Sequence, residues 1–132
     1  MSLNRFFRII SELVPMKGLS EKESALLSSL DPDKIYIENV RSILDVSYSS
    51  AVRICETAVR QGLFKRYIEV KCPDGSVAAA TDNEETLPKT VHCWTEIDGH
   101  PEEVEFATQA LAKTTFYRLN DESDSVPYRQ TA

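Results

Sequence analysis

The sequence predicts an α+β fold, helices first and antiparallel strands after, and three observations carry that expectation. From Val40 to Gly62 the apolar residues recur at helical spacing in two runs. From Phe64 to Cys72 the spacing changes to alternation, and Pro73-Asp74-Gly75 then supplies a turn. Beyond residue 90 come three more strand-like runs, TVHCWTEI, EEVEFA and TTFYRL, which form a small antiparallel β appendage.

Taken in order, LNRFFRIISELVP reads as the first helix, with Leu3, Phe6, Phe7, Ile10, Leu13 and Val14 on one face, Asn4 as its cap and Pro15 as its stop. That face packs on the core, or Phe6 and Phe7 make a homodimer contact. Ser20 precedes Glu23 by three residues, the spacing of a capping box, so a second helix starts there. It turns Ala25, Leu26, Leu27 and Leu30 inward and ends before Asp31-Pro32, because the residue before a proline is pushed out of the α region. DKIYI is expected to be a short strand pairing with the later hairpin. Val40, Ile43 and Leu44 mark a third helix, and DVSYSS is a turn in which Ser47 or Ser49 caps a fourth. In the fourth helix Ala51, Ile54, Cys55, Ala58 and Val59 face inward, and Gly62 closes it with Leu63 as the returning contact. The hairpin that follows has its tip at Asp74-Gly75.

Thr81 and Glu84 have the spacing of a second capping box around a single helical turn, with a solvated loop as the alternative. TVHCWTEI is then a strand and DGHP a turn. EEVEFA and TTFYRL are strands, or residues 101–113 form one helix, since Pro101 followed by two glutamates also reads as a helix start. The tail from Asn120 is polar and unpatterned and is expected to be disordered. This divides the chain into residues 1–81, 82–119 and 120–132.

With 132 residues, 42% hydrophobic and 27% charged, the composition is that of a soluble globular protein of one domain or a domain with an appendage. No apolar run approaches the ~20 residues needed to span a bilayer, and Arg5 and Arg8 interrupt the apolar N-terminal stretch. A cytoplasmic location without membrane contact follows as the expectation. Three cysteines are too few and too odd in number for a disulfide scaffold, which fits a reducing compartment. The net charge of −6 is uneven: residues 1–72 hold 11 Lys and Arg against 9 Asp and Glu, and residues 73–132 hold 4 against 12. General nucleic-acid affinity is therefore not expected of the whole chain, although a locally basic module can still bind.

AVRICETAVRQGLF followed by a hairpin resembles the recognition helix and wing of the winged helix-turn-helix superfamily. That family typically shows a small residue or leucine near the helix end, three further residues, Gly and a hydrophobic pair; here these are Ala58, Gly62, Leu63 and Phe64. The resemblance covers about residues 3 to 81. It implies DNA as the partner, with a recognition helix over about 49–61 in the major groove and a wing over about 64–80 on the backbone. Carried over, Ser49, Ser50 and Arg53 are base or phosphate contacts, and Arg60, Lys65, Arg66 and Lys71 are backbone contacts. Such proteins mostly bind paired half-sites as dimers. Two residues depart from the pattern, Asp74 at the wing tip and Glu56 on the exposed helix face. Winged helices also bind proteins, so a protein-interaction adaptor that docks a basic partner through the acidic C-terminal part is the second reading.

Cys72-Pro-Asp-Gly75 and Cys93-Trp-Thr-Glu96 resemble the two knuckles of a zinc ribbon that has lost its metal, Gly75 and Glu96 standing where the second cysteines would be. The residues left as zinc ligands are Cys72, His92, Cys93 and His100, but adjacent His92 and Cys93 point to opposite faces of a strand, so neither metal nor other cofactor is expected. Cys55 reads as a small core hydrophobe, and Trp94 as packing or an interface anchor. No phosphate-binding loop, nucleophile elbow or zinc-protease motif occurs, and an enzyme is not expected.

Overall fold

The computed structural model describes residues 3–14 and 19–120. The expected stop at Pro15 and the tail beyond Asn120 lie outside these residues. Helices α1 (Leu3–Leu13), α2 (Glu21–Ser28), α3 (Ile37–Leu44) and α4 (Tyr48–Arg60) accompany strands β1 (Ile35–Tyr36), β2 (Phe64–Lys71), β3 (Val77–Thr81), β4 (Thr90–Ile97), β5 (His100–Ala107) and β6 (Ala112–Leu119). The fold is thus mixed α+β. One sheet has the strand order β1-β6-β2-β3, and β4 pairs with β5 in a second. Chain contacts define two compact units, one holding residues up to Arg66 and from Tyr117, the other Tyr67–Phe116. The division falls inside β2 and β6, whereas the sequence reading draws its boundary near residue 81.

In the first unit α1 buries Phe6, Ile9 and Ile10, while Phe7 and Leu13 pack partly against the same core. Phe6 is 1% exposed and its ring lies 4.9 Å from that of Phe64, so the helix turns this residue to the core and not to a second copy. Asn4 lies within α1 and is not its cap. The capping box of α2 is formed: the Glu23 amide donates to Ser20 Oγ at 3.1 Å, and the Ser20 amide donates to Glu23 Oε1 at 3.0 Å. Of its apolar residues Leu27 is buried and Leu30 half-buried, but Ala25 and Leu26 are exposed. A two-turn helix meets the core along one narrow stripe, and Leu26 is rotated about 100° away from Leu27.

β1 is shorter than expected because Ile37 already belongs to α3, where Asn39 Oδ1 accepts from the Tyr36 amide at 3.0 Å. Its sheet neighbour is β6 and not the hairpin, since the C-terminal strand returns between them. The Leu119 amide donates to Pro32 O at 2.7 Å. Asp45 takes the left-handed conformation, φ 56°, in the short turn between α3 and α4. At the far end of α4 Gly62 has φ 79°, a conformation that costs other L-residues about 1–2 kcal/mol. The Gly62 amide donates to Val59 O at 3.0 Å and the Leu63 amide to Ala58 O at 2.8 Å, the paired closure of a Schellman motif. Leu63 is thereby driven into the core, where full burial stabilises by about 2 kcal/mol. Asn120 is ordered, its amide donating to Leu63 O at 2.7 Å.

In the second unit the turn forms as expected, the Gly75 amide donating to Cys72 O at 2.8 Å. Asp74 Oδ1 accepts from the Ser76 amide at 2.9 Å, and β2 and β3 run antiparallel with an irregularity between Val70 and Lys71. A single 3-10 turn covers Glu84–Thr86, but its cap is Asn83, which accepts from the Glu85 amide at 3.0 Å; Thr81 still belongs to β3. Residues 101–113 are not a helix. Pro101 sits in β5 opposite Glu96, and the eight paired positions of β4 and β5 outweigh the local helix-start signal. Consecutive positive φ values at Asp98 (51°) and Gly99 (80°) give the turn whose twist suits a hairpin.

A small second core holds Cys72, Val91 and Cys93 with Ala79 and Phe106 packed on it. Cys72 and Cys93 are joined by a disulfide with Cα atoms 5.7 Å apart, whereas the count of three cysteines reads as a chain without a disulfide scaffold. Both turn into one small core, Cys72 from the end of β2 and Cys93 from the middle of β4, and burial brings their sulfurs together. Closing a loop with a sequence separation of 21 stabilises by about 3 kcal/mol through the unfolded chain. Unfolded without reductant, the protein should titrate with a thiol reagent at Cys55 alone, and at all three cysteines after reduction. Three reactive thiols before reduction would contradict the bridge.

Candidate functional site

The two faces of α4 follow from its sequence. Ala51, Ile54, Cys55 and Ala58 are fully buried, and the positions between them turn outward. Ser47 is the cap: its Oγ accepts from the Ser50 amide at 3.1 Å, lies 3.0 Å from Ser50 Oγ and 3.3 Å from Ser49 Oγ. The three serines thus cluster at a helix N-terminus, where amides and the helix dipole favour an anion. Ser49 is exposed, whereas Ser50 is half-buried and engaged with Ser47. Tyr48, 55% exposed at the first helical position, is missed by the sequence reading. An aromatic inside a serine-rich turn is the signal that points to it.

Arg53 is exposed on the next turn of α4, on the same side as Ser49 and Ser50 by its spacing of four and three residues. Arg60 is exposed at the other end and donates to Thr57 Oγ1 at 2.9 Å. Lys65 is exposed on β2. Arg66 is committed elsewhere. Its Nε donates to Glu56 Oε2 at 2.9 Å and its Nη2 makes a second contact with Oε1, while Tyr117 donates its hydroxyl to Oε2 at 2.6 Å. Lys71 belongs to the second unit, its Nζ 3.5 Å from the fully buried Glu69. Of the seven expected contacts the fold therefore gathers Ser49, Ser50 and Arg53, sets Arg60 and Lys65 apart from them, and withdraws Arg66 and Lys71 into ion pairs.

Glu56 is the hub of this surface. The Arg66 guanidinium holds its carboxyl below the ordinary 4.5, against the opposing effect of burial and with help from the Tyr117 hydroxyl. The Arg66 guanidinium is held more firmly protonated in return, and burial followed by the Glu56 hydrogen bond pushes the Tyr117 phenol up. Burial also pushes the neighbouring Cys55 thiol up to about 12, leaving it an inert packing group.

The zinc candidates do not come together. Cys72 and Cys93 are bonded to each other. His92 is exposed on the opposite face of β4, with Nδ1 3.8 Å from Glu103, and His100 is exposed beside the hairpin turn opposite Ile97. Among the described residues no group of three or more His, Cys, Asp or Glu converges on a metal position. No helix among them is long and apolar enough to cross a membrane. Compared with known proteins, the chain matches no family model, no curated protein and no solved structure.

Because the Glu56 carboxyl binds its proton less tightly in the folded state, its ionised form stabilises the fold above pH 4.5, and that stabilisation disappears as pH falls through the lower folded value. Glu56→Gln should therefore cost about 1–2 kcal/mol at pH 7, since the lost hydrogen bonds are to a charged group, and should converge with the parent protein at acid pH. Denaturant titrations at several pH values check this; a loss independent of pH would contradict it.

Proposed function

We propose that α3, α4 and the hairpin β2–β3 make a winged helix-turn-helix, and that the protein is a non-enzymatic nucleic-acid-binding regulator with α4 as its recognition helix. The observation that carries the reading is the outward face of α4: hydroxyls and Arg53 gather at its N-terminus, opposite a fully buried stripe. Arg66 pairs with Glu56, one of the two acidic residues that depart from the resemblance, so this carboxylate does not stand as a bare charge on that face. Ser49 and Arg53 are the groove contacts in this reading, with Ser50 supporting the cap. Arg60 and Lys65 reach flanking phosphates. Arg66 serves by neutralising Glu56, and Lys71 plays no part.

Few cations are left for phosphates, which sets the expected salt dependence. Fluorescence anisotropy with a random duplex should give a log–log salt slope of roughly −2 to −4, and Arg53→Glu should weaken binding about tenfold or more and reduce the slope by about 1. Absence of binding at about 50 mM salt, or an Arg53→Glu variant that binds unchanged, would overturn the proposal and leave α4 as a platform for a protein partner.

A further inference from the structure

The second unit carries a surface that the nucleic-acid reading does not use. Residues 67–116 hold 3 Lys and Arg against 10 Asp and Glu, a net charge of −7. Pairing in the β4–β5 hairpin sets His92 opposite Glu105, Trp94 opposite Glu103 and Glu96 opposite Pro101, and directly opposed residues share a face. All six are exposed. The other face turns Val91 and Cys93 into the small core, so the alternation of the strand fixes Trp94 outward, at 58% exposure. Beside the indole lies a shallow depression of about 440 Å³ lined by Pro73, Asp74, Trp94, Thr95, Glu96 and Pro101.

Tryptophan, with tyrosine and arginine, is enriched among the residues that anchor interfaces. Three properties of its surroundings select the partner. The indole face attracts a cation, the carboxylates of Asp74, Glu96 and Glu103 supply charge and acceptors, and Pro73 and Pro101 wall the depression with apolar surface that a methylene stem can cover. Lysine satisfies all three, but arginine adds a planar group that stacks on the ring while its fork of donors meets a carboxylate. We propose that this face docks an arginine-bearing basic segment of a partner protein, one arginine lying over Trp94 with its guanidinium hydrogen-bonded by the flanking carboxylates. Glu96 lines the depression itself, and Glu103 stands opposite Trp94 with one oxygen 3.8 Å from His92 Nδ1. The inference is independent of the nucleic-acid reading, because it uses only residues of the second unit.

Trp94 is the single tryptophan of the chain, so its emission reports this site alone. The full-length protein at pH 8 and low salt is titrated with a capped peptide of alternating glycine and arginine, and in parallel with its lysine and glutamate counterparts. The arginine peptide should change Trp94 emission saturably and bind about five-fold tighter than the lysine peptide, with the glutamate peptide silent. By calorimetry, Trp94→Ala and the double variant Glu96→Gln with Glu103→Gln should each weaken binding about ten-fold or more. These side chains are exposed, so the variants leave both cores intact. Equal affinity of Trp94→Ala for the arginine peptide would overturn the proposal, as would equal affinity for lysine and arginine, which indicates diffuse charge attraction. A dimer that Trp94→Ala dissociates in sedimentation would also overturn it, by making a second copy the occupant.

Discussion

Glu56 stands where three elements meet. It lies on the outward side of α4, accepts from Arg66 of β2 and accepts from Tyr117 of β6. α4 thereby gains a polar tie to strands whose core contacts are aromatic, Phe64 lying 5.8 Å from Tyr117 and 4.9 Å from Phe6. An unpaired carboxylate here would repel phosphates and would cost desolvation energy against Cys55 and Tyr117. Pairing with Arg66 and Tyr117 offsets both costs, at the expense of one cation on the face. The same interaction thus joins β6 to α4 and sets how basic the α4 surface is.

Much of the fold can be read in the residues, for physical reasons that differ from element to element. Gly62 and Leu63 state a helix end because few other residues adopt that φ, and a leucine beside the closing turn has one place to go. Ser20 with Glu23, the turn at Asp74-Gly75 and the alternation of β4 are similarly local. What escapes is nonlocal. Nothing near Ile35 shows that its sheet neighbour is the strand ending at Leu119, and DKIYI pairs elsewhere than local order suggests. The bond between Cys72 and Cys93 needs β2 and β4 turned into one core, which spacing alone does not reveal. The helix-start signal at Pro101 is real but weak against eight paired positions with β4.

The candidate site divides the same way. Ser49, Ser50 and Arg53 fall together because a helix fixes their spacing, and helical periodicity is legible in the chain. Arg66 and Lys71 look like available cations when counted along a strand, but each lies beside a carboxylate. Trp94 reads as packing or an interface anchor until its neighbour Cys93 is seen to point inward, after which strand alternation leaves the indole outside. The outcome is a chain whose charge is divided by unit: a modestly cationic helix face in one, and an acidic, aromatic sheet face in the other.

That division is tested most directly by amide and indole NMR shifts of the full-length protein on adding a short random duplex at low salt. The account predicts perturbation at Tyr48, Ser49, Ser50, Arg53 and Lys65, with the Trp94 indole and the β5 amides unmoved. Shifts concentrated on β4 and β5, or no shifts on α4 when the duplex is present in excess, would contradict it.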